Sequence, residues 1–139
     1  MNSLKTVKEF EASKVSEVEG KPDTLVISAN SHYIHIDDFK KLFEYAGMIA
    51  KERGIERLVF DKRRLTAFHQ PSMEWYYTEW KDKMFDLGLK THRKILPDNN
   101  VFKMAVKAGK EKLSEKYPDA KFHQMDIKYS DSVEEAISS

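Results

Sequence analysis

The sequence predicts an α/β domain built on a mostly parallel sheet, and three observations carry that prediction. Short apolar or β-branched runs alternate with amphipathic segments of helical length, and glycine or proline stands at most of the junctions. The runs Leu25-Val26-Ile27 and Leu58-Val59-Phe60 show no polar alternation, as strands buried on both faces do not. Right-handed crossovers between such strands give a sheet of about five strands with helices packed on both faces. The 139 residues suit one domain, residues 1–139, in which residues 1–22 supply N-terminal edge strand or strands and make the sheet mixed at that border.

The elements follow in order. Val7, Phe10, Val15 and Val18 alternate loosely with Lys and Glu, which suits half-solvated strands ending at Gly20-Lys21-Pro22-Asp23. Leu25 to Ile27 is a buried strand with polar Asn30, Ser31 and His32 beyond it. From Ile36 to Arg53, Phe39, Leu42, Phe43, Ala46, Ile49 and Ala50 recur at helical steps; Asp37 and Asp38 complement the positive helix end, and Gly54 suits a left-handed cap. Arg57 to Asp61 reads as a central parallel strand. Pro71 then opens a second helix, whose inner stripe is Met73, Tyr76, Tyr77, Trp80, Met84 and Leu87, closed by Gly88, with Trp75 on the opposite side. Thr91 to Leu96 is a strand stopped by Pro97. Asp98 can cap a third helix with Phe102, Ala105, Val106, Gly109 and Leu113 inward, ending before Pro118. Lys121 to Gln124 alternates as a last strand, and Ser132-x-x-Glu135 reads as a capping box for a short closing helix.

Composition excludes several function classes. The chain carries 24 Lys plus Arg against 23 Asp plus Glu, a net charge of +1, which argues against nucleic-acid binding. The lysines Lys103, Lys107 and Lys110 share one helix face, where such a stripe serves solubility. The apolar run Tyr45 to Ala50 is far short of the roughly 20 residues needed to cross a bilayer. No secretory signal is expected at Met1 to Lys5, and the absence of cysteine removes disulfide and thiolate chemistry, so a cytoplasmic location is expected. Neither G-x-G-x-x-G, G-x-x-x-x-G-K, G-x-S-x-G nor H-E-x-x-H occurs.

The order of elements, the strand ending Leu58-Val59-Phe60-Asp61, the Trp-bearing helix after it, the strand ending Ile95-Leu96-Pro97 and the closing Ser132-Val133-Glu134-Glu135-Ala136-Ile137 resemble the STAS-like family, relatives of the bacterial anti-sigma-factor antagonists. The likeness covers residues 23 to 138 and rests on pattern. It implies a small α/β domain that works by docking to other proteins, with some relatives grouped beside CRAL-TRIO lipid-binding domains. The family's phosphorylated serine lies in an Asp-Ser-Ser-Gly-like turn; the corresponding stretch here is His69-Gln70-Pro71-Ser72-Met73, with Ser72 lacking the preceding Asp and the following Gly. That departure leaves Ser72 a weak phosphorylation candidate.

Four constellations remain. Lys62, Arg63 and Arg64, at the carboxyl end of a central strand beside His69, form a candidate site for an anion such as phosphate or carboxylate; in the plainer reading Arg63 or Arg64 pairs with Asp61 or Asp98 and ties loops together. Trp75 and Phe85 lie off the buried stripe and are candidate interface residues, although Trp75 could equally tuck beneath a neighbouring segment. For His32 and His35 to bind zinc, Asp37 or His69 would have to complete the set, and with no H-E-x-x-H spacing they read as ordinary loop histidines. His92 and His123 look like strand residues and receive no role. With His69 as a base there is still no nucleophile or metal, so no catalytic residue, metal or cofactor is assigned.

The expectation is therefore a non-enzymatic regulatory or scaffolding domain that binds another protein or a second copy of itself, as a homodimer. The alternative is a carrier or sensor of a small anionic or lipidic ligand held at the strand carboxyl-end edge.

Overall fold

The computed structural model describes residues 3–139, in which six strands hydrogen-bond in their chain order: β1 (Leu4–Glu9), β2 (Ser13–Val18), β3 (Lys21–Ala29), β4 (Arg57–Asp61), β5 (Thr91–Ile95) and β6 (Asp126–Tyr129). The first three form an antiparallel meander, and β3 through β6 run parallel. The α/β class holds, with the antiparallel strands at the N-terminal edge and one strand more than the sequence pattern suggested. No helix among the described residues is long and apolar enough to cross a membrane.

Between the parallel strands lie α1 (Ile36–Arg53), a second rod made of α2 (Gln70–Trp75), a π-helical turn (Tyr76–Trp80) and α3 (Lys81–Asp86), and then α4 (Asn100–Lys116). Gly54 closes α1 at φ 65°, a left-handed position that a Cβ would strain. Strand order equal to chain order means that every right-handed crossover turns the same way, so the crossover helices all cover one face. That face holds the main core: Leu25 and Ile27 of β3, Leu58 and Phe60 of β4, with Phe39, Phe43, Tyr76, Trp80, Phe102 and Leu113 from the helices above. Among the described residues the opposite face is covered by α5 (Val133–Ser138), whose Ala136 and Ile137 pack on Val18, Val26, Val59 and Ile95. Arg57 and Arg93 donate to the carbonyls of Ala136 and Ser139, so two cations hold the negative end of α5.

Phe43 is the centre of the main core. Its ring lies 4.7 Å from Phe39, 5.3 Å from Phe60, 4.5 Å from Tyr76 and 5.0 Å from Trp80, and its carbonyl accepts from the Trp80 indole at 2.6 Å. These edge-on and tilted contacts join α1, the sheet and the second rod in one layer.

Four local expectations are corrected. Lys121–Gln124 is a 3-10 turn, because the Lys121 N–H is held by the Asp82 carboxylate and Phe122 turns in against Tyr77; the last strand follows it at β6. Asn99, not Asp98, caps α4 by accepting from the Phe102 N–H. Leu87 lies past the last helical turn, where Gly88 reverses the chain, and is 43% exposed. His92 lies in β5 as expected but is buried, and His123 falls in the 3-10 turn.

Phe43→Ala is expected to cost about 3–5 kcal/mol, because the surrounding rings cannot all collapse into the space left. Urea unfolding should show the loss as a lowered midpoint at unchanged slope.

Candidate functional site

The carboxyl ends of β3 and β4 open into the loops 30–35 and 62–69, and backbone bonds fix both. The Lys62 N–H donates to the Ile95 carbonyl, Leu65 N–H to Lys62, and Thr66 N–H to His32. Together with α1, the second rod and α4 they enclose a cleft of about 50 Å³, floored by Phe39, Phe60 and Tyr76 and walled by Leu65, Phe68 and Phe102. Its polar lining comes from Lys62, His69 and Ser72, with Tyr33 at the side.

Of the residues singled out in the sequence, this cleft gathers Lys62, His69 and Ser72. The Lys62 Nζ lies 4.9 Å above the Phe60 ring, and burial lowers its pKa to about 8. His69 Nδ1 sits 2.8 Å from the Ser72 hydroxyl, whose residue is only 5% exposed. A kinase would have to displace that contact to reach Ser72. Arg63 and Arg64 are not in the cleft. Arg63 forms a two-pronged pair with Asp61, at 2.9 and 2.8 Å, and Arg64 is exposed with no ion pair among the described residues.

Trp75 is not on a free side. The second rod is wedged between α1 and α4, and Trp75 packs edge-on against Phe39 with the Lys40 amine over it. Phe85 is half-buried between the amines of Lys90 and Lys121. A larger open trough, about 860 Å³, runs between α4 and β6 and is bordered by Lys103, Lys107, Lys110 and Tyr129. Among the described residues no three of His, Asp and Glu gather as a metal site would require.

Behind the cleft lies a feature that the sequence reading passed over. Lys81 and Lys94 are 0% exposed and His92 is 1% exposed. In register, His92 pairs with Leu58 and Lys94 with Phe60, so both point into the main core where the neighbouring strands carry hydrocarbon. The π-helical turn brings Lys81 over the same place, its N–H donating to the Tyr76 carbonyl five residues back. The Lys81 amine lies 3.9 Å from the Tyr77 ring centroid and 4.7 Å from that of Tyr76, and the Lys94 amine 4.2 and 5.5 Å from the same rings. Lys94 Nζ donates to the Tyr77 hydroxyl. The Lys81 amine, the Tyr76 hydroxyl and both His92 nitrogens are buried without hydrogen-bond partners.

Burial pushes all three bases well below their ordinary pKa, and Lys81 lowers Lys94 and His92 further. Burial also raises the Tyr76 and Tyr77 hydroxyls. The cluster is a pair of amines and an imidazole facing two aromatic hydroxyls, with the π faces of the tyrosines as their compensating partial charge. The sequence did carry a signal: Lys81 stands four residues after Tyr77 and three before Met84, and His92 and Lys94 share one strand parity.

Comparison with family models, with curated proteins and with solved structures finds no match for this chain.

The signs of these shifts set a pH dependence. Between about pH 8 and 10.5 the unfolded chain holds protons on lysines that the folded chain has released, so raising the pH favours the folded state. Below the ordinary histidine range, His92 acts in the same direction, since only the unfolded imidazole charges freely. Above pH 10 the tyrosines reverse the trend, because the unfolded hydroxyls ionise first. Stability to urea should therefore keep rising from pH 7 to about 9.5. Lys81→Met, which removes an amine with no partner, should raise stability at pH 7 by about 1–3 kcal/mol and flatten that rise.

Proposed function

We propose that the chain is a small-anion binding domain, a carrier or sensor that holds its ligand without chemical turnover in the cleft at the carboxyl ends of β3 and β4. The observation that carries this reading is the Lys62 amine, set in a largely aromatic cleft and with no ion pair to any carboxylate among the described residues. Ligands of open α/β sheets bind at this edge, and a few convergent polar groups in an apolar cleft are what such a site needs.

Size selects between the two ligand classes the sequence left open. About 50 Å³ compares with about 10–15 Å³ needed to hold one water and about 300–1,000 Å³ for drug-sized ligand pockets. A lipid tail has no room, whereas a head of a few heavy atoms does. The apolar floor and single flanking cation suit a short monocarboxylate better than a phosphate, whose greater charge costs more to desolvate.

The STAS-like resemblance belongs to this reading as a proposal about ancestry, supported by the run of elements from β3 to α5. It keeps a regulatory setting in view, in which occupancy of the cleft is what a partner protein senses. A docking role through Trp75 and Phe85 themselves draws less support, because both rings already pack against their own chain.

Titration with propanoate, followed by amide NMR, tests the proposal. Signals of Tyr33, Leu65, Phe68 and His69 should shift with an affinity of about millimolar, and Lys62→Ala should weaken binding about tenfold or more. Absence of any shift into the tens of millimolar with propanoate and its near homologues would sink the idea.

A further inference from the structure

We infer that Lys81 and Lys94 are the inner half of the same anion site, and that a carboxylate entering past Lys62 supplies the negative charge that this buried cluster lacks. The inference rests on the small-anion reading and extends it to residues outside the cleft lining.

Tyr76 joins the two regions. It lines the cleft, its buried hydroxyl has no partner, and the Lys81 amine lies 4.7 Å from its ring centroid. A carboxylate between Lys62 and the Tyr76 hydroxyl would take a charge-assisted bond from the ammonium and a second from the phenol, completing a donor that is otherwise idle. From there the interior offers little screening, so the anion acts on Lys81 and Lys94 through the ring.

Everything charged that faces Lys81 has the same sign. Lys62 on the loop after β4 and Lys110 on α4 disfavour the charged forms of both Lys81 and Lys94, Lys94 offers Lys81 a hydrogen bond but no negative charge, His92 on β5 lies close by, and no Asp or Glu among the described residues contributes. One arriving negative charge reverses that balance. The protonated amine becomes the stable form beside the anion, and a proton is drawn from solvent as the ligand binds. Linkage then requires affinity to fall as the pH rises through the range in which the amines of the unliganded protein are already neutral.

Calorimetry with propanoate, at pH 8 in two amine buffers of different ionisation enthalpy, reads this directly. Wild-type protein should take up more of a proton per ligand than Lys62, with its pKa of about 8, supplies by itself, and affinity should fall as the pH rises from about 7.5 to 9.5. Lys81→Met should still bind through Lys62, but more weakly and with uptake reduced to the share that Lys62 takes itself. Nζ NMR of wild-type protein gives the answer without substitution, since propanoate at pH 8 should move the Lys81 and Lys94 nitrogens toward ammonium values.

Unchanged Lys81 and Lys94 Nζ signals, with full affinity and undiminished proton uptake in Lys81→Met, would confine the site to Lys62, whose own pKa of about 8 supplies that uptake, and overturn the inference while leaving the small-anion reading standing. No binding heat in wild-type protein at any of these pH values would overturn both. Equal uptake with inorganic phosphate would count against the carboxylate assignment.

Discussion

Two amines and an imidazole lie inside this protein with no carboxylate among the described residues to neutralise them, and that constraint shapes what surrounds them. Charge in such a place is tolerated only if the group gives up its proton or finds electron-rich neighbours. Both remedies are present. The rings of Tyr76 and Tyr77 lie beneath the amines, and the bases release their protons far more readily than they would in water. The aromatic layer thus serves two ends: it is the hydrocarbon that fastens α1 and the second rod to the sheet, and it is the electrostatic bed of the lysines.

The π-helical turn belongs to the same arrangement. An uninterrupted α-helix would set Lys81 about 500° of rotation from Tyr76, well round the cylinder, whereas the wider turn stacks the two nearly in line. Local distortion of the second rod therefore puts cation and ring together, and it does so beside β5, which carries His92 and Lys94 on its core face.

Much of the scaffold was legible in the sequence because its signals are local. The stripe from Phe39 to Ala50, the cap at Gly54 and the unbroken run Leu58 to Phe60 each name one element by their own spacing. The segment 121–129 was not legible, because its placement depends on a carboxylate in a distant helix and on a four-residue strand whose hydrophobic residues are Ile127 and the half-exposed Tyr129. The site divides in the same way. Lys62 and His69 come together because both leave the end of β4, while Arg63 is drawn off by Asp61. Lys81, Lys94 and His92 escaped because a charged letter is read as a surface residue, although their parity placed them indoors.

Strand order identical to chain order has a bearing on how the molecule comes into being. Each new strand from β2 onward finds its neighbour already synthesised, and no strand waits for a partner that lies further along the message. The pairings of β1 to β3 are local hairpins that form readily, whereas each parallel pairing must first close a helix-bearing crossover and is the slower step. The chain can assemble stepwise at the ribosome in the direction it is made, with α5 closing the uncovered face last.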